Sequence, residues 1–227
     1  MVSRKSLQIG AIAIVGVVCL LLGAAAVSLA LKQGSSAADP TQNREFVDPG
    51  SVPIGGPFRL TDHTGNTVTD MDFEGKYLLV FFGFTYCPDI CPTTLSEIAR
   101  TMDLLGDQSG AVQPLFITVD PERDTPEIMA EYVAAFHPAI IGLTGTLDQT
   151  AAIAKAYRLY YEKAPAEERQ AMADSGDYTV NHQGNTYLMN PEGEYLRHFS
   201  YGTPPEEMAE SIGRAIEEFG IPDTEGT

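Results

Sequence analysis

From Tyr77 to Phe84 the chain reads Tyr-Leu-Leu-Val-Phe-Phe-Gly-Phe. A nearly continuous apolar run of this kind marks a strand buried on both faces, and such a strand needs helices above and below it. The next segment answers that need. From Pro92 to Leu105, Leu95, Ile98, Met102 and Leu105 recur at helical spacing and Gly106 ends the pattern. A second buried strand is expected over 114–119, a helix over 126–136, a third short strand over 140–143 and a helix over 148–157.

A small hairpin, 58–60 against 67–69 around the turn-rich Asp62–Asn66, precedes this series. A polar stretch (162–177), a hairpin (186–189 and 195–196 around Asn190-Pro191-Glu192-Gly193) and a last helix (204–219) follow it. Strands alternating with helices and closing on a hairpin and helix imply an α/β fold, a thioredoxin-like mixed sheet with helices on both faces.

At the other end of the chain, Ile9 to Ala30 is a run of 22 residues without a charge. At about 1.5 Å per residue it is long enough to cross a bilayer as one N-terminal transmembrane helix. Arg4 and Lys5 before it place the amino terminus in the cytoplasm and everything after Lys32 outside. The competing reading is a cleaved secretory signal, since Ser36-Ala37-Ala38 suits cleavage, but the apolar core of such a signal runs only about 7–15 residues. Val18 before Cys19 is too bulky for a lipoprotein signal. The expected organisation is an anchor over 1–33, a flexible Gly/Ser/Pro linker over 34–51, one domain over 52–221 and a tail over 222–227.

Of the formal charge of −17, +3 lies before Asp39, leaving −20 on the remainder. That balance excludes nucleic acid as a partner. It suits a basic protein or cationic ligand, but plain solubility is the reading it favours.

Of the three cysteines, Cys19 sits in the apolar segment, where it packs as a small apolar side chain. Cys87 and Cys91 form the working pair, placed where the buried strand gives way to a helix, whose positive end lowers a thiol pKa. Residues four apart on a helix lie on one face, about 5–6 Å apart at Cβ. Both sulfurs can meet one ion, or close a disulfide. Two thiolates make a soft site that selects Cu(I) or zinc over magnesium, calcium or manganese, and a third donor is needed.

Four histidines are available. His63 lies in a hairpin turn and His137 at a helix end before Pro138, both fitting surface or capping roles. His198 alternates with core residues on a strand and reads as structural. His182 lies just before the last hairpin, in what reads as a loop facing the cysteines. Position favours it, but spacing alone leaves it open between a ligand and a satisfied loop histidine.

Three segments in order resemble the Sco/SenC copper proteins: Thr85-Tyr86-Cys87-Pro88-Asp89-Ile90-Cys91-Pro92, Asp120-Pro121-Glu122-Arg123-Asp124-Thr125-Pro126 and Tyr178-Thr179-Val180-Asn181-His182. The resemblance covers roughly residues 52–219 and the anchor. It implies copper as Cu(I) held by Cys87, Cys91 and His182, with Cu(II) left open. It further implies copper delivery to the dinuclear site of cytochrome c oxidase subunit II, or reduction of that site's cysteines. The location implied is a single-pass protein of the inner membrane facing the periplasm or an equivalent space, served by a periplasmic copper donor and a thiol reductant. One departure is Asn181, where family members commonly carry Asp.

Asp120 and Asp124 read as helix caps before Pro126 rather than as copper or partner contacts. Tyr86, Pro88 and Pro92 are expected to shape the site rather than bind metal. The rival class is a thiol-disulfide oxidoreductase in which Cys87 attacks and Cys91 resolves, with a redox sensor as a third. The three-residue spacer, and His182-Gln183 where such enzymes usually present a cis-proline, stand against the first rival.

Overall fold

A computed structural model describes residues 45–163 and 178–221. The apolar segment Ile9–Ala30 and most of the linker lie outside the described residues, as does the tail. Among the described residues no helix is long and apolar enough to cross a membrane.

The central strand, β3 (Tyr77–Gly83), is buried at all seven positions. It pairs in parallel with β4 (Val112–Thr118), Phe81 opposite Phe116, and antiparallel with β8 (Thr186–Met189), Val80 opposite Tyr187. With β1 (Arg59–Asp62), β2 (Thr67–Thr69), β5 (Ile141–Thr144) and β9 (Tyr195–Phe199) it forms a seven-stranded mixed sheet in the order β2-β1-β5-β4-β3-β8-β9. The early hairpin is therefore part of the main sheet, joined through Thr61 to Thr144 of β5.

The helices are α1 (Ile90–Leu105), α2 (Pro126–Ala134), α3 (Leu147–Ala156) and α4 (Pro205–Phe219). Side chains alternate across a strand, and β3 uses both directions. Phe81 stacks on Phe116, which meets Tyr132 of α2, while Phe82 meets Tyr157 at the end of α3. Helices thus cover both faces, as the apolar run of β3 requires. Helix α1 starts two residues before Pro92, which sits in the first turn where its missing N–H costs nothing.

Three expectations are corrected. His182 is not in a loop: it ends a three-residue strand, β7 (Val180–His182), paired antiparallel with β6 (Tyr161–Lys163) in a separate two-stranded ribbon. The polar stretch therefore begins as a strand, and its remainder, 164–177, lies outside the described residues. The Gly/Pro-rich stretch read as a free linker to residue 51 is attached to the domain from Glu45 on. Phe46 is buried, Val47 N–H donates to the Leu196 carbonyl at 2.9 Å, and Glu45 accepts from Arg197 and Arg214. Lastly, neither aspartate caps α2. Thr125 does so, its Oγ1 accepting from Ile128 N–H at 3.4 Å.

Candidate metal centre

Cys87 lies in the turn that leaves β3, its N–H bonded to the Phe84 carbonyl at 3.2 Å. Cys91 follows in the first turn of α1 and is completely buried, whereas Cys87 is only partly so. The Cys91 N–H points at Cys87 Sγ (3.4 Å), and Cys91 Sγ lies 3.4 Å from His182 Nε2. One ligand atom from each of Cys87, Cys91 and His182 lies within 4.8 Å of the others. No other such group of His, Cys, Asp and Glu occurs among the described residues.

The imidazole is oriented from behind. His182 Nδ1 is 3.0 Å from the Gln183 carbonyl. A carbonyl only accepts, so Nδ1 carries a proton, and Nε2 is the ring nitrogen that faces the sulfurs. Phe81 and Phe84 meet the imidazole ring edge-on at 6.2 and 5.8 Å between centroids.

The thiols are pushed apart in acidity. A hydrogen bond from the Cys91 thiol, helped by His182 and the N–H groups of Asp89 and Cys91, overcomes burial and lowers Cys87 to about 3. Cys91 is pushed up, because it supplies that hydrogen bond and because it is buried. The metal-free pair is thus a half-buried thiolate leaning on a fully buried thiol.

Gly83 makes room for this arrangement. A Cβ there would stand 2.5 Å from Cys91 Sγ and 2.9 Å from Phe116 Cε2. Behind the turn, buried Asp124 accepts from Thr85 N–H (3.1 Å), Thr85 Oγ1 and Thr118 Oγ1 (both 2.5 Å), joining the cysteine loop to the end of β4. Burial raises its pKa. Asp120 is also fully buried, facing Arg123 (2.5 Å), Lys163 (2.8 Å) and Tyr178 OH (2.7 Å). Burial pushes its pKa up, but those hydrogen bonds outweigh burial and the net shift is downward.

The other histidines stay apart from the centre. His63 Nδ1 accepts from Gly142 N–H, His137 Nδ1 accepts from Ala139 N–H as a local cap, and His198 on β9 pairs with Tyr195 OH at 2.6 Å. Sequence reasoning missed Gly83, Arg123 and Lys163. Arg123 stood inside a motif read for its acids, and Lys163 carried no signal at all.

The sheet is thioredoxin-like, with two thiols at the head of a helix and an imidazole closing on them. The SCO1/SenC family model matches residues 48–217. Over 161 residues the chain is 44% identical to the mitochondrial SCO1 homolog of Homo sapiens, covering 70% of this chain and 52% of that protein. Over 165 residues it is 42% identical to sco1 of Schizosaccharomyces pombe, covering 72% and 61% respectively. The chain thus matches between half and two thirds of the length of these curated relatives. Among solved structures, Bradyrhizobium japonicum ScoI with copper bound is 42% identical, with a TM-score of 0.63, over 71% of this chain and 98% of that one. Arabidopsis thaliana ScoI with copper bound is 39% identical with a TM-score of 0.66, over 73% and 99%. The chain belongs to the SCO1/SenC family.

Proposed function

We propose that this protein is a copper carrier whose cargo is held by Cys87, Cys91 and His182. The carrying observation is the convergence of two sulfurs and one Nε2 within 4.8 Å. The donor set fits copper: two soft thiolates and one neutral imidazole match Cu(I), and three donors leave room for an incoming ligand. The copper-bound relatives support the reading. Loading releases the Cys91 proton, since Cys87 is already a thiolate near neutrality. With neutral His182 the loaded site carries a net charge of about −1.

Residues 1–33 serve as a single membrane anchor and 34–44 as the linker, with the domain over 45–221 and a tail over 222–227 on the extracytoplasmic side. The recipient is the dinuclear copper site of cytochrome c oxidase subunit II, reached by ligand exchange. A periplasmic copper donor and a thiol reductant act upstream. The test is copper stoichiometry and visible absorption of the reduced full-length protein beside His182→Ala. One equivalent bound by wild type, with clear weakening in the variant, is expected. Binding indifferent to His182 overturns the site.

A second reading is favoured by the unequal thiols. Cys87 thiolate attacks one sulfur of a partner disulfide and expels the other as a thiolate. Cys91, losing its proton, then attacks Cys87 of the mixed disulfide and releases the partner's second thiolate. Here His182→Ala retains reductase activity, and that outcome separates the readings.

A further inference from the structure

The ribbon that carries His182 is anchored to the cysteine side of the domain through one buried ionic knot. Asp120 lies in the loop after β4 and is fully buried. One of its oxygens receives Arg123 Nε at 2.5 Å, and the other receives Lys163 Nζ at 2.8 Å and Tyr178 OH at 2.7 Å. Lys163 is the last residue of β6 and Tyr178 precedes β7 by two positions, so the knot grips both strands at the same end of the ribbon. Arg123 adds the second grip. Its Nη2 donates to the Tyr178 carbonyl at 2.9 Å, and its guanidinium stands 3.6 Å from the centre of the Tyr178 ring. The same guanidinium lies 4.6 Å from the Tyr86 ring and 5.7 Å from Phe84, the residues that flank the approach to Cys87.

We propose that Arg123, braced on Asp120, is a positioning residue for His182: it latches the ribbon to the cysteine loop and so sets where Nε2 stands relative to the two sulfurs. This rests on the copper-site reading for its purpose but not for its geometry. His182 stands four residues beyond Tyr178, roughly 13 Å of extended chain. The ribbon has three paired positions, Tyr161 with His182, Glu162 with Asn181 and Lys163 with Val180, continued at the His182 end only by long 3.3 Å bonds between Tyr160 and Gln183. So short a ladder holds its register weakly, and a slip of one residue turns His182 to the opposite face. Gripping both strands at one end fixes the register at the other. Stacking on Tyr86 ties the same cation to the residue next to Cys87, so ribbon and thiol loop are referred to one point. Lysine cannot replace it fully, because it lacks the planar fork that bonds Asp120 and the Tyr178 carbonyl together while stacking.

The test uses the full-length protein in two measurements. In the reduced, copper-free state, amide hydrogen exchange of the ribbon is compared among wild type, Arg123→Ala and Arg123→Lys. Exchange about tenfold faster in Arg123→Ala is expected, intermediate in Arg123→Lys, with β3 and β4 amides unchanged. Cu(I) affinity is then measured by chelator competition for Arg123→Ala, His182→Ala and the double variant. Arg123→Ala alone should weaken binding about tenfold, and in the His182→Ala background less than twofold, since residues acting through one another are non-additive. Ribbon exchange unaffected by Arg123→Ala overturns the proposal, as does an equal loss of affinity in both backgrounds. Should the wild type bind no copper, the functional reading fails, and the exchange comparison still decides the latch.

Discussion

Replacing Gly83 by alanine puts a methyl group into the one place where β3, α1 and β4 leave no space for it. The position does not need glycine for its backbone, since its φ is not among the positive values that mark other glycines. The constraint is contact. The new Cβ would lie 2.5 Å from Cys91 Sγ and 2.9 Å from Phe116 Cε2, against an ordinary carbon contact of about 3.5–4.0 Å. The sulfur must therefore withdraw by about 1 Å, or the ring must turn, and both are completely buried. Overpacking of a filled core costs about 1–3 kcal/mol, and two immobile neighbours place Gly83→Ala at the upper end. Displacing Cys91 also spoils the donor set, so Cu(I) affinity should fall together with stability. The assay is urea denaturation of the reduced, copper-free full-length protein, followed by chelator competition. Gly142→Ala is the graded control: its nearest atoms stand at 3.2 Å and include the flexible end of Met129, so a smaller loss is expected. Gly110→Ala, with nothing within 4 Å, should be neutral. A Gly83→Ala protein within about 0.5 kcal/mol of wild type, with unchanged copper affinity, would refute the packing argument.

Alkylation of Cys87 in the metal-free protein should stay fast down to about pH 4 and fall as pH approaches 3, because only the thiolate reacts. Cys91→Ala removes the main acidifying hydrogen bond and should move that midpoint upward, and a pH–rate profile identical to wild type would contradict the assigned cause. Asp124→Ala strands three hydrogen-bond donors in a buried place and should cost about 2–4 kcal/mol in denaturation, whereas a loss under about 0.5 kcal/mol would deny the brace between Thr85 and Thr118. Glu45 is lowered to about 2, chiefly by its hydrogen bond from Arg214, so its contribution is complete above about pH 4.5 and is lost as pH falls towards 2. With a side chain 27% exposed, water screening leaves about 1 kcal/mol. Midpoints measured from pH 2 to 6 should converge between wild type and Glu45→Gln at the acid end.

What could be read in advance was whatever is decided locally. β3 announces itself because a doubly covered strand has no polar face to hide, and α1 follows from the spacing of Leu95, Ile98 and Met102 together with Gly106. The candidate donors were legible because thiols and imidazoles are few and because the three motifs resemble a family. The ribbon was not legible. β7 is three residues long, and its partner β6 lies on the far side of the polar stretch 164–177, so no periodicity builds up in either strand. Asp124 was read as a cap because Asp-Thr-Pro before a helix has cap chemistry; Thr125 takes that role, and the carboxylate turns inward to Thr85, 39 positions away. The pairing of Asp120 with Lys163 spans a similar distance. Long-range polar contacts of this kind obey no spacing rule, so only the fold reveals them.

Asn181 can now be judged by its place in the ribbon. It precedes His182 on β7, and successive side chains on a strand point to opposite faces, so Asn181 faces away from the imidazole and is exposed. Its antiparallel partner is Glu162, itself exposed. Asn181→Asp would therefore set two carboxylates opposite each other, a like-charge pair that costs about 0.2–1 kcal/mol in the ribbon. If the ribbon's register positions His182, that strain weakens Cu(I) binding by up to about fivefold without abolishing it. A direct electrostatic attraction of the new carboxylate for the incoming copper cation would have the opposite sign and strengthen binding. Chelator competition on Asn181→Asp thus separates the two by direction alone. Adding Glu162→Gln removes the repulsion and should return affinity to the wild-type value. Tighter binding in Asn181→Asp would show that the residue before the histidine acts on the metal through its charge, and a loss that Glu162→Gln does not restore would show that the strand pairing is not the cause.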